Sequence, residues 1–279
     1  MSDALLEVEN LRVSFPSPRG ERVEVVRGVS FRVGRERLGI VGESGSGKSI
    51  TGRAILRLIR PPGRVTADRL AFRGRNLLDL SDTAMREVRG AGISMVMQDP
   101  KFSLNPVIRV GDQIAEALVT HERRPSREVR RRVIEMLQAV RIDDPERVAR
   151  LYPHQLSGGM GQRVMIAMML IARPDLLIAD EPTSALDVSV QAQVLDIVDA
   201  LVRDEGMGLI FISHDLDLVS SYCDRILVMH RGEIVEECAA GRLREARHPY
   251  TRGLLAAVPR LDDTREELPV LDRRAMGGT

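Results

Sequence analysis

Apolar positions along the chain recur first at a period of two, then at a period near 3.6, and the switches between the two lay out the elements. Leu5 to Val13 and Arg22 to Val33 are rich in valine and leucine and are parted by Pro16, Pro18 and Gly20, which predicts two strands around a turn. Leu38 to Val41 is a short apolar run that stops at a glycine-rich segment. Ile50, Ala54, Ile55, Leu58 and Ile59 then share one helical face, so strand, loop and helix follow in that order. Pro61, Pro62 and Gly63 end this helix; Val65 to Phe72 reads as a strand, Asp82 to Val88 as a helix and Ile93 to Met97 as a buried strand.

The middle of the chain changes character. Val129, Val133, Met136, Leu137 and Val140 form one apolar helical face while arginines crowd the other, and residues from about 104 to 157 read as a helical insert. Strand signals resume at Leu176 to Ala179, Leu209 to Ile212 and Ile226 to Met229. They alternate with helices such as Val190 to Val202, whose positions 190, 194, 197, 198 and 201 share a face. Such alternation predicts an α/β fold with a mostly parallel sheet. Arg231-Gly232 marks a hairpin, a short helical tail follows, and the polar end from Asp262 is expected to be loose.

A chain of 279 residues with 43% apolar and 29% charged residues buries a sizeable core and is neither disordered nor a disulfide scaffold. Lys plus Arg number 41 against 40 Asp plus Glu, so the net charge of +1 gives no case for nucleic acid as a partner, and any anion site must be local. Cys223 and Cys238 have neither CxxC spacing nor a ladder of partners, which argues against zinc, iron–sulfur and secreted-disulfide readings. The apolar stretch Val164 to Ala172 falls short of the roughly 20 residues that span a bilayer, and the acidic N-terminus lacks the basic start of an export signal.

Gly42-Glu43-Ser44-Gly45-Ser46-Gly47-Lys48-Ser49 fits G-x-x-x-x-G-K-[ST] and stands between a predicted strand and a predicted helix beginning at Ile50, the context that its mechanism needs. Glycines let backbone N–H groups converge on phosphate oxygens, the helix terminus adds partial positive charge, Lys48 reaches the β and γ phosphates, and Ser49 offers its hydroxyl to Mg²⁺. A nucleoside triphosphate is the implied ligand. The chain has two lysines, Lys48 and Lys101, among many arginines, which suits a compact cation at this position. Leu176 to Asp180 is an apolar strand ending in a carboxylate, where a parallel sheet would place Asp180 to hold Mg²⁺ and its water shell. Glu181 follows and could polarise an attacking water. Without the cradle the same pair would be an exposed acidic strand end.

With these motifs in hand, the chain resembles the ATP-binding cassette (ABC) family over about residues 5 to 260. Leu156-Ser157-Gly158-Gly159-Met160 looks like the family signature, Gln98 in Met97-Gln98-Asp99-Pro100 like its Q-loop glutamine, Ser184-Ala185-Leu186-Asp187 like its D-loop and His214 in Ile212-Ser213-His214-Asp215 like its switch histidine. Phe15 matches the aromatic position that stacks on adenine. Alone, His214 would be a loop histidine and Phe15 core; order and spacing relative to the cradle give them their roles. The resemblance implies a P-loop NTPase core with an N-terminal antiparallel β subdomain, a helical subdomain and a short C-terminal extension. It divides the chain into a nucleotide-binding domain, residues 1–235, and an extension, residues 236–279. It implies ATP and Mg²⁺ as cofactors, with Ser49, Gln98 and Asp180 at the metal, Glu181, His214 and Gln98 catalytic, and Ser157, Gly158 and Gly159 closing on the γ-phosphate held by a second ATPase subunit, identical or homologous.

Ser103-Leu104-Asn105-Pro106, Tyr152-Pro153-His154, Gln162 to Ala167 and the tail His248-Pro249-Tyr250-Thr251 through Ala257-Val258-Pro259 are similar to the importer ATPases for oligopeptides, dipeptides and nickel. That similarity implies two transmembrane permease subunits, which in the family dock near Gln98 to Pro106, an extracytoplasmic solute-binding protein, and a peripheral place on the cytoplasmic face of the inner (plasma) membrane. Gly161, where that group carries a basic or polar residue, and Gly34-Arg35-Glu36, which interrupts a usual Gly-Glu pair, depart from the pattern. No cysteine follows Cys238, so no iron–sulfur cluster is expected. A soluble cassette ATPase is the alternative, and it would carry tandem cassettes, coiled coils or basic arms. A GTPase is disfavoured because Asn10, Asn76 and Asn105 stand in no N-K-x-D motif.

Overall fold

The computed structural model describes residues 4–97, 103–183 and 188–257, with the backbone alone at 188 and 189. Its strands are β1 (Leu6–Pro16), β2 (Arg22–Val33), β3 (Arg37–Val41), β4 (Arg64–Thr66), β5 (Arg69–Phe72), β6 (Arg75–Asn76), β7 (Ile93–Val96), β8 (Leu176–Asp180), β9 (Gly208–Ser213), β10 (Arg225–His230) and β11 (Glu233–Ala239). Its helices are α1 (Lys48–Ile55), α2 (Asp82–Val88), α3 (Val110–Val119), α4 (Ser126–Ala139), α5 (Pro145–Val148), α6 (Gly158–Leu170), α7 (Val188–Asp204), α8 (Leu216–Tyr222) and α9 (Pro249–Ala257). Contacts divide the chain into two units, Met1–Asn76 with Ile210–Thr279, and Leu77–Leu209.

In the first unit β1 pairs antiparallel with β2 from Leu6↔Val33 to Phe15↔Val23, and with β4 and β5 along its other edge. Leu6, Val8, Leu11 and Val13 of β1 and Val26, Val29 and Val33 of β2 are buried, the inward half of the two strands. Each such side chain contributes roughly 1.5–3 kcal/mol by leaving water. Val65 to Phe72, expected as one strand, is two. Asn10 takes φ 52 in β1 and its Nδ2 donates to the Asp68 carboxylate at 3.0 Å, so pairing steps from Arg12↔Thr66 to Glu9↔Arg69 across a break at residues 67 and 68. The same unit holds strands in the order β11-β10-β3-β9. β3 and β10 run parallel, with Ile226 opposite Gly39, and β10 returns antiparallel as β11 through Arg231 and Gly232, both at positive φ as a two-residue hairpin requires. Glu36, in the segment that departs from the family pattern, receives Arg225 Nη2 at 2.7 Å.

α1 begins two residues before the apolar pattern and stops at Ile55, four residues before it ends. Arg57 turns left-handed at φ 51, and Leu58 is left 42% exposed.

In the second unit β7 and β8 pair in parallel from Ile93↔Leu176 to Val96↔Ala179, and the long crossover between them carries α3, α4, α5, a 3₁₀ turn at Pro153–Gln155 and α6. Val129, Val133 and Leu137 of α4 are buried as expected, whereas Met136 is half-buried. On α7, Val194, Ile197 and Val198 are buried, but Leu195 and Val202 complete the face in place of Val190 and Leu201. Gln113 of α3 is 5% exposed, and its amide closes the preceding loop by receiving the Asn105 N–H and donating to the carbonyls of Asn105 and Ile108.

Candidate active site

The glycine-rich loop joins β3 to α1, and its shape is set by what lies beneath it. Gly42 has φ 151, and a Cβ there would meet the Met229 carbonyl oxygen, so only glycine fits. The Gly232 N–H, at the β10–β11 turn, donates to the Ser46 carbonyl at 2.9 Å, and the Gly232 carbonyl accepts the Arg27 N–H at 2.8 Å. Lys48 is 5% exposed. Its Nζ turns back under the loop and donates to the carbonyls of Gly42 at 2.7 Å and Glu43 at 2.9 Å, with Ser46 Oγ at 3.4 Å. A positive charge is thereby gathered beneath the loop, at the N-terminus of a helix with no acidic residue in its first turn. That is an arrangement for a phosphate chain. Ser49 follows in the same first turn of α1.

Two more of the expected residues belong to this unit. Phe15 lies near the end of β1, half-buried, with its ring against Gly63. His214 follows Ser213, the last residue of β9, which lies beside β3. Its side chain is exposed, and Asp215 next to it caps α8 by accepting the Leu218 N–H at 2.9 Å.

The second unit carries the carboxylates and the signature. Asp180 is the last residue of β8 and is 3% exposed. Glu181 takes φ 47, a left-handed backbone uncommon for a non-glycine residue, and it is half-buried. Ser157 caps α6 by accepting the Met160 N–H at 3.3 Å. Ser157 and Gly158 are exposed, a Cβ on Gly158 would touch nothing within 4 Å, and Gly159 lies against Val190. The first turn of this 13-residue helix is therefore open to an approaching anion. Gln162, one turn further on and 1% exposed, donates its amide to the Pro182 carbonyl and so ties the signature helix to the turn that bears Glu181. Gly161 is buried in α6. Gln98 and Ser184 to Asp187 lie outside the described residues.

Two residues have roles that no motif above assigns them. One is Gln162, a polar side chain between the signature glycines and the apolar stretch from Val164. The other is Tyr250, 1% exposed, whose Oη accepts the Glu43 N–H at 2.9 Å. It stands in the His248 to Thr251 string, where an aromatic amid polar residues was the available signal.

A loop of this geometry between a parallel strand and a helix, in an α/β fold with an antiparallel sheet and a helical crossover, defines a nucleotide-binding ATPase of the P-loop class. Residues 26–184 match the family model described as ABC transporter. The chain belongs to that family, and it is an ATP-binding, ATP-hydrolysing subunit of it. Over 266 residues it is 48% identical to the oligopeptide transport ATP-binding protein OppD of Bacillus subtilis, a match that covers 94% of this chain and 74% of OppD. It is 49% identical over 270 residues to the dipeptide transport ATP-binding protein DppD of Haemophilus influenzae, covering 96% of this chain and 82% of DppD. The fold is similar to that of the ATP-binding cassette MJ0796, solved as a dimer in a post-hydrolysis state bound to ADP and Pi. There the TM-score is 0.73 at 28% identity, over 84% of this chain and 98% of that one.

Proposed function

We propose that this chain energises uptake of peptides or a related small solute as the ATPase subunit of an importer. It would work with a second ATPase subunit, identical or homologous, two transmembrane permease subunits and an extracytoplasmic solute-binding protein. The similarity to OppD and DppD supports the solute class. In this reading the chain lies peripherally on the cytoplasmic face of the plasma membrane, with residues 1–235 as the nucleotide-binding domain and 236–279 as an extension. Among the described residues no helix is long and apolar enough to cross a membrane, so the permeation path would belong to the permeases. The loop of Asn105 to Ile108, stapled by Gln113 with Val107 77% exposed, adjoins the stretch that the family uses to meet them.

The observation that carries the proposal is the buried Lys48 ammonium gathered under the loop Gly42 to Gly47. Backbone amides there would receive the phosphates, Ser49 and Ile50 would continue the site into α1, and Phe15 would stack on the base. Mg²⁺ suits the donors. Ser49 hydroxyl, Asp180 carboxylate and Gln98 carbonyl are hard oxygens, and among the described residues no cluster of three His, Cys, Asp or Glu offers an all-protein cage, as befits an ion that keeps waters and binds through phosphates. When bound, the ion would neutralise charge on the β and γ phosphates. Glu181 would accept the proton of the attacking water, and His214 would donate to the γ-phosphate. Ser157, Gly158 and Gly159 would close over the nucleotide held by the partner subunit.

Glu181→Gln tests this reading in the purified transporter complex. ATP binding should persist while hydrolysis falls at least about 100-fold, the scale of a general base. Turnover near that of the unaltered protein would refute the assignment.

A further inference from the structure

The C-terminal helix touches the phosphate loop through one side chain. Tyr250, in the first turn of α9, accepts the Glu43 N–H at 2.9 Å. That N–H belongs to the peptide unit joining Gly42 to Glu43, and the carbonyl of the same unit accepts Lys48 Nζ at 2.7 Å. In a trans peptide the N–H and C=O point in opposite directions. The tyrosine hydroxyl and the lysine ammonium therefore hold opposite poles of one plane. The next carbonyl, that of Glu43, takes a second bond from Lys48 at 2.9 Å and one from the Ser46 N–H at 3.1 Å.

Tyr250 also packs against the β10–β11 hairpin. Its ring lies 3.9 Å from that of His230, centroid to centroid. His230 ends β10 and pairs with Glu233 across the turn whose Gly232 N–H reaches the Ser46 carbonyl. The two rings are tilted by 33°, and burial first, then the charge of Arg231, holds the His230 pKa below its usual value, which favours the neutral imidazole against the Tyr250 ring. The entry to the helix is fastened independently of the tyrosine: the N–H groups of Arg247 and His248 donate to the Glu236 carboxylate on β11 at 2.6 and 3.5 Å. Phenylalanine would fill the same space but leave the Glu43 N–H without this acceptor.

We propose that Tyr250 is a positioning residue for the ATP site: by fixing the Gly42–Glu43 peptide it sets where Lys48 presents its ammonium to the phosphates, which makes the C-terminal helix a brace of the cradle. The inference rests on the ATPase reading given above and adds to it a role for the tail. Binding is reciprocal, so nucleotide in the cradle should in turn tighten α9.

Mg·ATP dissociation constants measured on the full chain for the unaltered protein, Tyr250→Phe, Lys48→Ala and the double variant test the brace. Tyr250→Phe should weaken ATP about three- to ten-fold, the worth of one neutral hydrogen bond. Lys48→Ala should weaken it further, and adding Tyr250→Phe to Lys48→Ala should change the constant by less than about two-fold, because the tyrosine acts through the lysine's peptide. A merely structural role would multiply the two losses, and multiplied losses, or a Tyr250→Phe constant equal to that of the unaltered protein, would overturn the brace. Should Tyr250→Phe unfold, amide exchange on the unaltered protein decides instead. ATP should slow exchange across residues 249–257, and unchanged rates would overturn the proposal. If the unaltered protein does not bind Mg·ATP, the ATPase reading itself fails and the brace with it; if it binds and only the variants disagree, the brace alone fails.

Discussion

A Cβ placed on Gly42 would stand 2.1 Å from the carbonyl oxygen of Met229, far inside contact distance, on a residue whose φ is 151. The obstacle is backbone of β10, which gives way only if the strand shifts. Gly42→Ala should therefore lower unfolding stability by about 3 kcal/mol, seen as a drop in urea midpoint, and should abolish ATP binding because the loop can no longer close.

Gly158 is the opposite case. Added carbon there meets nothing within 4 Å, so Gly158→Ala should leave stability within about 0.5 kcal/mol. Its methyl would nevertheless stand on the open first turn proposed to meet the partner's γ-phosphate. Hydrolysis by the assembled pair should fall while ATP binding to the single chain is unchanged, as parallel binding and turnover assays would show.

Gln162 links α6 to the Glu181 turn by its amide. Gln162→Leu keeps the volume and strands the Pro182 carbonyl without that donor, a loss of about 1–3 kcal/mol. Thermal unfolding should report the stability cost, and the hydrolysis rate should fall more than ATP affinity because the Glu181 turn loses its tether.

Cys223 lies against Gly39 and is 8% exposed; burial first, then the Asp224 carboxylate, pushes its thiol pKa up to about 12. In the unfolded chain the thiol ionises at its ordinary value. Between the two, the folded state binds more protons than the unfolded state, so stability contributed by this group is complete below the ordinary value and is lost as pH rises toward about 12. Urea unfolding at successive alkaline pH should show this decline, and Cys223→Ala should flatten it. At pH 8 the native thiol should resist Ellman's reagent until the protein unfolds.

What could be read from residues alone follows how local the determinant is. The strand–loop–helix around Lys48 was legible because composition, spacing and context agree within one short segment, and the β10–β11 hairpin because Arg231-Gly232 suits two consecutive positive φ values. The break in the strand after Thr66 was not, since it depends on Asn10 reaching Asp68 across 58 positions. Periodicity overran the end of α1 because Leu58 and Ile59 continue the pattern after Arg57 has left the helix. Tyr250 escaped for the same reason as the strand break: its partner, Glu43, is 207 positions away.

The backbone at Glu181 has a cost of its own. A left-handed conformation at a residue with a Cβ costs roughly 1–2 kcal/mol, and glycine would relieve it while deleting the carboxylate proposed to activate water. Durability and turnover thus pull in opposite directions at this one position. Selecting variants of this chain for heat resistance alone would favour the loss of its chemistry there, whereas selecting for transport would keep the strain in place.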